Sequence, residues 1–275
     1  MNPINIAIVH GIGITKPGYA APLIAGITRE YRRAAHKQNA GQKEAAPELN
    51  FIEIVWDDII AANQQTLAER LKAGLPPSAN QSVWAKAVQP LLAPLKKGIN
   101  WLRTDFAAEF VSDIIAYGNA DVYAKIHERI LTRINTAAPA KGKTNLTFVA
   151  HSLGSVITSD FIYDQIRRDG EFHPHFQFSN FFTMGSPLAL FALRYGPEAF
   201  ASPIRVEAKD GRWINIFDRD DPFAYPLKAL NNAYHQAVAL DAEVDTGFFG
   251  VAHVKYWKNV QTHRLIAEQL IKNSG

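Results

Sequence analysis

The stretch from Asn145 to Ile166, NLTFVAHSLGSVITSDFIYDQI, leaves the chain the least freedom. A run of β-formers ends at Ala-His, and Ser-Leu-Gly leads at once into a helical pattern with Val156, Phe161 and Ile162 as apolar positions. A strand can turn into a helix this abruptly only through a strained residue, with small neighbours that let strand and helix pass closely. Ala150 and Gly154, two before and two after Ser152, meet that need. The turn would lift the Ser152 hydroxyl above the sheet edge. It would also bring the N–H of Leu153, at the helix N-terminus, to the same spot.

The same β-then-α order recurs along the 275 residues. Apolar runs predict strands at 4–9, 50–58, 144–152, 176–186 and 212–220, and a weaker one at 236–245. Leu23, Ile27 and Tyr31 recur every fourth residue, so 19–38 reads as a helix, and 256–273 as a closing helix. This alternation predicts a mostly parallel sheet flanked by helices. Between Trp56 and Thr144 the run is far longer than a crossover needs. Val88, Leu91, Leu95, Ile99, Leu102, Phe106, Phe110 and Ile114 step by three or four there, and Val122, Ile126, Ile130 and Ile134 step by four. The expectation is one domain, 1–275, with a helical cap inserted at about 57–143.

The opening strand runs into His10-Gly11-Ile12-Gly13. A dinucleotide site would need a third glycine where Lys16 stands, followed here by Pro17. AKGKT at 140–144 is no phosphate loop either, because Ala137 replaces its first glycine and a strand follows it.

Taken together, VAHSLGS and HGIG resemble the α/β-hydrolases, specifically the lipase and serine-esterase branch that includes proteins similar to GPI inositol-deacylase. The resemblance runs from Ile4 to about Lys272 apart from the insertion, and the chain lacks the two strands that usually precede IAIVHGIG. It implies an α/β-hydrolase fold shortened at the N-terminus. Ser152 is then the nucleophile, and the backbone N–H groups of Ile12 and Leu153 form an oxyanion hole. His10, Gly11, Gly13, Ala150 and Gly154 are the supporting loops, with His10 holding its turn by packing or hydrogen bonding. The order nucleophile, acid, base leaves Asp218, Asp220 and Asp221 as acids in FDRDDPFA. The branch's Asp-Pro-hydrophobic-Ala pattern favours Asp221. Of nine histidines, His253 follows the last candidate strand and precedes the last helix, where this fold places its base, while His263 lies inside that helix. His36 and His127 are expected on helix surfaces, His173 and His175 in a polar loop, and His151 is expected to turn away from the serine hydroxyl. His235 stands too near the acid's segment to be placed. GSP in TMGSPLAL should shape the floor beside the triad.

The expected activity is ester hydrolysis through an acyl-enzyme, with no cofactor or metal, on a lipid or other apolar ester. A thioesterase, an amidase or a non-catalytic binding homologue would share the fold. The absence of cysteine excludes disulfides and thiolate metal sites. Scattered basic residues and a net charge of +3 exclude a nucleic-acid footprint. With no signal peptide and no apolar stretch near ~20 residues, a cytoplasmic location is expected. Trp84, Lys96, Lys97, Trp101 and Arg103 in the insertion would allow peripheral membrane contact.

Overall fold

A computed structural model describes residues 3–13, 15–38, 46–61, 113–248 and 251–273. The chain divides into two compact units, one formed by residues 1–11, 17–54 and 132–275, the other by 12–16 and 55–131.

The first unit is built on a six-stranded, all-parallel sheet of order β2-β1-β3-β4-β5-β6. Its strands are β1 (Ile4–Val9), β2 (Leu49–Ile54), β3 (Thr144–His151), β4 (Phe176–Met184), β5 (Arg212–Phe217) and β6 (Val238–Glu243). Helices α1 (Ala21–Gln38), α3 (Leu153–Asp169), α4 (Leu188–Ala199), α5 (Asn232–Ala237), α6 (Ala252–Lys255) and α7 (Val260–Lys272) connect or follow them, and α2 (Ala120–Asn135) precedes β3. A parallel sheet must be covered on both faces, so its strands are apolar throughout rather than alternating. The two faces still segregate by the two-residue strand period. Ile6, Ile8, Val149, Phe182, Met184, Ile214 and Ile216 pack with Leu23 and Ile27 of α1 and with Ile266 and Leu270 of α7. Phe148, Phe178, Phe181 and Trp213 point the other way, into an aromatic layer with Phe161 and Phe172. Truncating one such buried ring to alanine costs about 3–5 kcal/mol.

β2 is shorter than the sequence pattern predicts. It ends at Ile54 rather than 58, and a short helix, 57–61, follows. The acidic pair Asp57-Asp58 suits the first turn of a helix, where the peptide dipoles favour negative charge. β4 and β5 also stop early, at Met184 and Phe217, and α5 occupies the start of the predicted sixth strand. The closing helix begins as a 3-10 turn, Tyr256–Lys258, before α7.

The described helical parts of the second unit are 57–61, 113–117 and most of α2. Asn119 caps α2 by accepting from the N–H groups of Asp121 and Val122, and Val122, Ile126, Ile130 and Ile134 are all buried. The loop after Gly11 is stapled within this unit. Gly13 N–H donates to Asp113 and Thr15 N–H to Asp57, at 3.3 and 2.7 Å. His127 is buried, not on the surface as its helical position suggested. Its ring centroid lies 3.9 Å from that of Tyr123, and Nε2 is 3.1 Å from the Tyr117 hydroxyl. The apolar stripe from Val88 to Phe110 and the basic-aromatic set from Trp84 to Arg103 lie outside the described residues. No described helix is long and apolar enough to cross a membrane.

Candidate active site

β3 delivers Ser152 to the C-terminal edge of the sheet, where ligands bind in open parallel α/β sheets. Ser152 is the residue between β3 and α3, with φ 52° and ψ −131°. It is the one non-glycine residue with positive φ among those described. Such a conformation costs on the order of 1–3 kcal/mol and persists only where the surroundings enforce it. Here Ser152 N–H donates to the Met184 carbonyl at 2.9 Å, and the Ser152 carbonyl accepts from Ser155 N–H and Oγ at 2.9 and 2.6 Å.

The small neighbours have defined reasons. A Cβ on Gly154 would lie 2.2 Å from the His10 carbonyl oxygen and 2.8 Å from that of Val9, so only glycine lets α3 start this close to the end of β1. Gly11 faces Ser152 itself, and a Cβ there would sit 2.6 Å from Ser152 Cβ. His10 holds the turn as expected, donating from Nδ1 to the Gly11 carbonyl at 2.8 Å and packing edge-on against Tyr19. Ala150 is fully buried.

The three residues singled out for chemistry converge. Ser152 Oγ lies 2.8 Å from His253 Nε2. On the other side of the ring, His253 Nδ1 lies 3.0 and 2.9 Å from the two Asp221 oxygens. An ionised carboxylate only accepts, so Nδ1 carries the proton and Nε2 is left to accept from the serine hydroxyl. All three are buried, at 0%, 6% and 2% exposure for Ser152, His253 and Asp221. Burial alone would push the Asp221 carboxyl up. The hydrogen bond and charge of His253, the Phe223 N–H and the Tyr256 hydroxyl outweigh it and hold the group below its usual value. Asp221 is therefore an anion throughout the neutral range. His253 sits in the short helix α6, not in a loop as predicted, with the partly exposed Phe223 ring edge-on against it.

The runners-up have other duties. Asp218 accepts from Thr246 N–H and faces its hydroxyl at 2.6 and 2.7 Å, and Oδ1 accepts from Asp220 N–H. It ties the loop after β6 to the end of β5. His263 is buried in α7, where Nε2 donates to the Trp257 carbonyl at 3.0 Å, and its ring occupies the space a Cβ on Gly26 would need. His36 and His235 are exposed. His173 is buried against Phe176, and no metal-binding cluster occurs among the described residues. His151 turns away from the hydroxyl, as expected, and donates from Nε2 to the His253 carbonyl at 2.7 Å.

Ile12 and Gly13 belong to the second unit, so Ile12 as an oxyanion donor rests on the resemblance alone. Leu153 opens α3 directly after Ser152, and first-turn amides have no intrahelical acceptor. Sequence reasoning missed Tyr256, whose hydroxyl donates to Asp221 Oδ2 at 3.0 Å. The usable signal was its spacing of three from His253, which puts both side chains on one side of a helical turn. Gly185, from the predicted floor segment, has φ +59°, and a Cβ there would lie 2.9 Å from the Tyr256 ring and 3.1 Å from Asp221. Ser186 Oγ meets Ser155 Oγ at 2.7 Å.

No protein-family model and no curated protein matches the chain. Among solved structures it is similar to an uncharacterized protein from Pseudomonas aeruginosa, at 11% identity and a TM-score of 0.41, over 99% of this chain and 46% of that one. The chain thus spans about half the length of that protein.

Proposed function

We propose that the chain is a serine hydrolase of the α/β-hydrolase type, acting on an ester of apolar or lipid-like character. The observation that carries this reading is the continuous hydrogen-bond chain Ser152–His253–Asp221, starting on a strained strand-to-helix turn. Serine is a weak nucleophile at its own pKa and needs an adjacent base that a third group orients. As Ser152 Oγ attacks the acyl carbonyl, its proton passes to His253 Nε2. The imidazolium then hands that proton to the departing alcohol, leaving an acyl-serine. Water attacks that ester, again giving a proton to Nε2, and the carboxylic acid leaves as Ser152 recovers its proton. Asp221 keeps the required tautomer and stabilises the imidazolium. The Leu153 N–H supplies an oxyanion donor, and losing one such donor costs about 10²–10³ in rate in a well-studied protease. The apolar-ester assignment rests on the branch resemblance carried by VAHSLGS and HGIG.

The deciding experiment is labelling with a fluorophosphonate and peptide mapping, beside turnover of p-nitrophenyl acetate. One labelled residue, Ser152, is expected, with both labelling and turnover absent in Ser152→Ala. Labelling that persists in a folded Ser152→Ala protein overturns the assignment.

A further inference from the structure

We propose that Tyr256 is a positioning residue for the Ser152–His253–Asp221 chain: its hydroxyl clamps Asp221 Oδ2 and so aims the carboxylate at the His253 ring. The inference rests on the serine-hydrolase reading and goes beyond it, because nothing in a Ser-His-Asp arrangement requires a tyrosine. The direction of the hydrogen bond is fixed by the neighbours. Asp218 N–H can only donate, and it gives its proton to the Tyr256 oxygen at 2.9 Å. The tyrosine's own O–H is then directed to the carboxylate at 3.0 Å. Asp221 thereby receives the Phe223 N–H on Oδ1, Tyr256 on Oδ2 and His253 Nδ1 across both oxygens. With these donors in place the carboxylate cannot rotate without breaking at least one.

Tyr256 is suited to the task in three ways. It is fully buried, so water does not compete for its hydroxyl. It begins the 3-10 turn that continues α6, so clamp and base ride on one short stretch of backbone. Gly185 leaves room for its ring beside the carboxylate. The ionisable groups around it are Asp221, Asp218, His253 and, at a ring separation of 5.9 Å, His151. Burial, reinforced by the charge of Asp221, raises the tyrosine pKa well above its ordinary value, so it remains a donor at every working pH.

The test is Tyr256→Phe in the full chain, followed by kcat and KM for p-nitrophenyl acetate against pH, fluorophosphonate labelling rates and thermal melts. A hydrogen bond to a charged acceptor that is lost from the reacting unit should lower kcat about tenfold or more, with KM little changed. Without the Tyr256 proton the Asp221 carboxylate is more basic and pairs more strongly with the imidazolium, so the acid limb of the rate profile should move to higher pH. Incorporating 2,3-difluorotyrosine at 256 keeps the ring and strengthens the donor, so the limb should move the opposite way. That variant also decides the matter if the phenylalanine variant folds poorly. A lowered melting temperature with kcat and the limb unmoved in both variants overturns the proposal. The parent protein separates the two readings: if Ser152 labels normally while the Tyr256 variants match it, the clamp fails and the hydrolase reading stands.

Discussion

His151 and His253, adjacent imidazoles with ring centroids 5.0 Å apart, are joined by a hydrogen bond from His151 Nε2 to the His253 carbonyl oxygen. His151 precedes Ser152, and the carbonyl belongs to His253. The two sides of the Ser152–His253 bond are therefore tied a second time, through main chain. Burial, then the nearby positive charge of a protonated His253, pushes His151 down to about 3. It stays neutral and, on the serine-hydrolase reading, adds no charge beside the imidazolium.

That shift sets a pH dependence of stability. An unfolded histidine titrates near 6.5 and the folded one near 3, so in between the unfolded chain binds more protons. Stability should fall as pH drops from about 6.5 toward 3. His151→Gln removes the titrating ring and should flatten that decline. Urea unfolding of both proteins across the range checks it, and equal slopes would remove His151 as the cause.

Asp221→Asn should cost on the order of 10³–10⁴ in kcat, because an amide no longer selects the Nδ1–H tautomer. Asp218→Asn should instead lower the melting temperature and cost less than about tenfold in kcat, since its carboxylate holds Thr246 rather than the base. Steady-state kinetics on both, after circular dichroism shows them folded, gives the order. The reverse order would move the acid to Asp218.

The two C-terminal histidines should separate in the same way. His253→Ala removes the proton carrier and should cost about 10³-fold or more in kcat. His263→Ala empties the space beside Gly26 and should cost about 1–3 kcal/mol of stability while hydrolysis continues. Denaturant melts and p-nitrophenyl acetate turnover on both variants suffice.

Gly11→Ala places a methyl against Ser152 and should abolish labelling. Gly13→Ala meets nothing within 4 Å at φ +93°, so it should cost only the backbone strain of a left-handed alanine, about 1 kcal/mol. Labelling rates and melting temperatures distinguish a blocked nucleophile from a strained turn.

What was legible in the sequence was what local chemistry dictates. The six strands could be found because buried parallel strands are long apolar runs. Ser152 could be found because its turn tolerates few residue types on either side. Chain order left three aspartates open, the family resemblance favoured Asp221 and His253, and the structure brings both to Ser152. The errors lie where packing, which periodicity does not report, decides the outcome. Trp56 is as apolar as a strand residue, yet β2 has already ended at Ile54. His127 looked like a surface residue until Tyr117 and Tyr123 were placed beside it. Tyr256 bears on Asp221, 35 positions away, and no periodicity reports such a pair.

The Ser152–His253 bond spans 101 positions, and this bears on how the protein comes off the ribosome. A nascent chain that has just completed β3 and α3 carries the whole elbow and no base. Asp221 follows β5 and His253 follows β6, so under the proposed mechanism the hydroxyl lacks its base until the last third of the sequence has been made and has closed the sheet. Reactivity toward a fluorophosphonate should thus be among the last properties to return on refolding, after the helical signal. On the serine-hydrolase reading, a chain stalled or truncated before His253 holds the elbow without the base that would activate it.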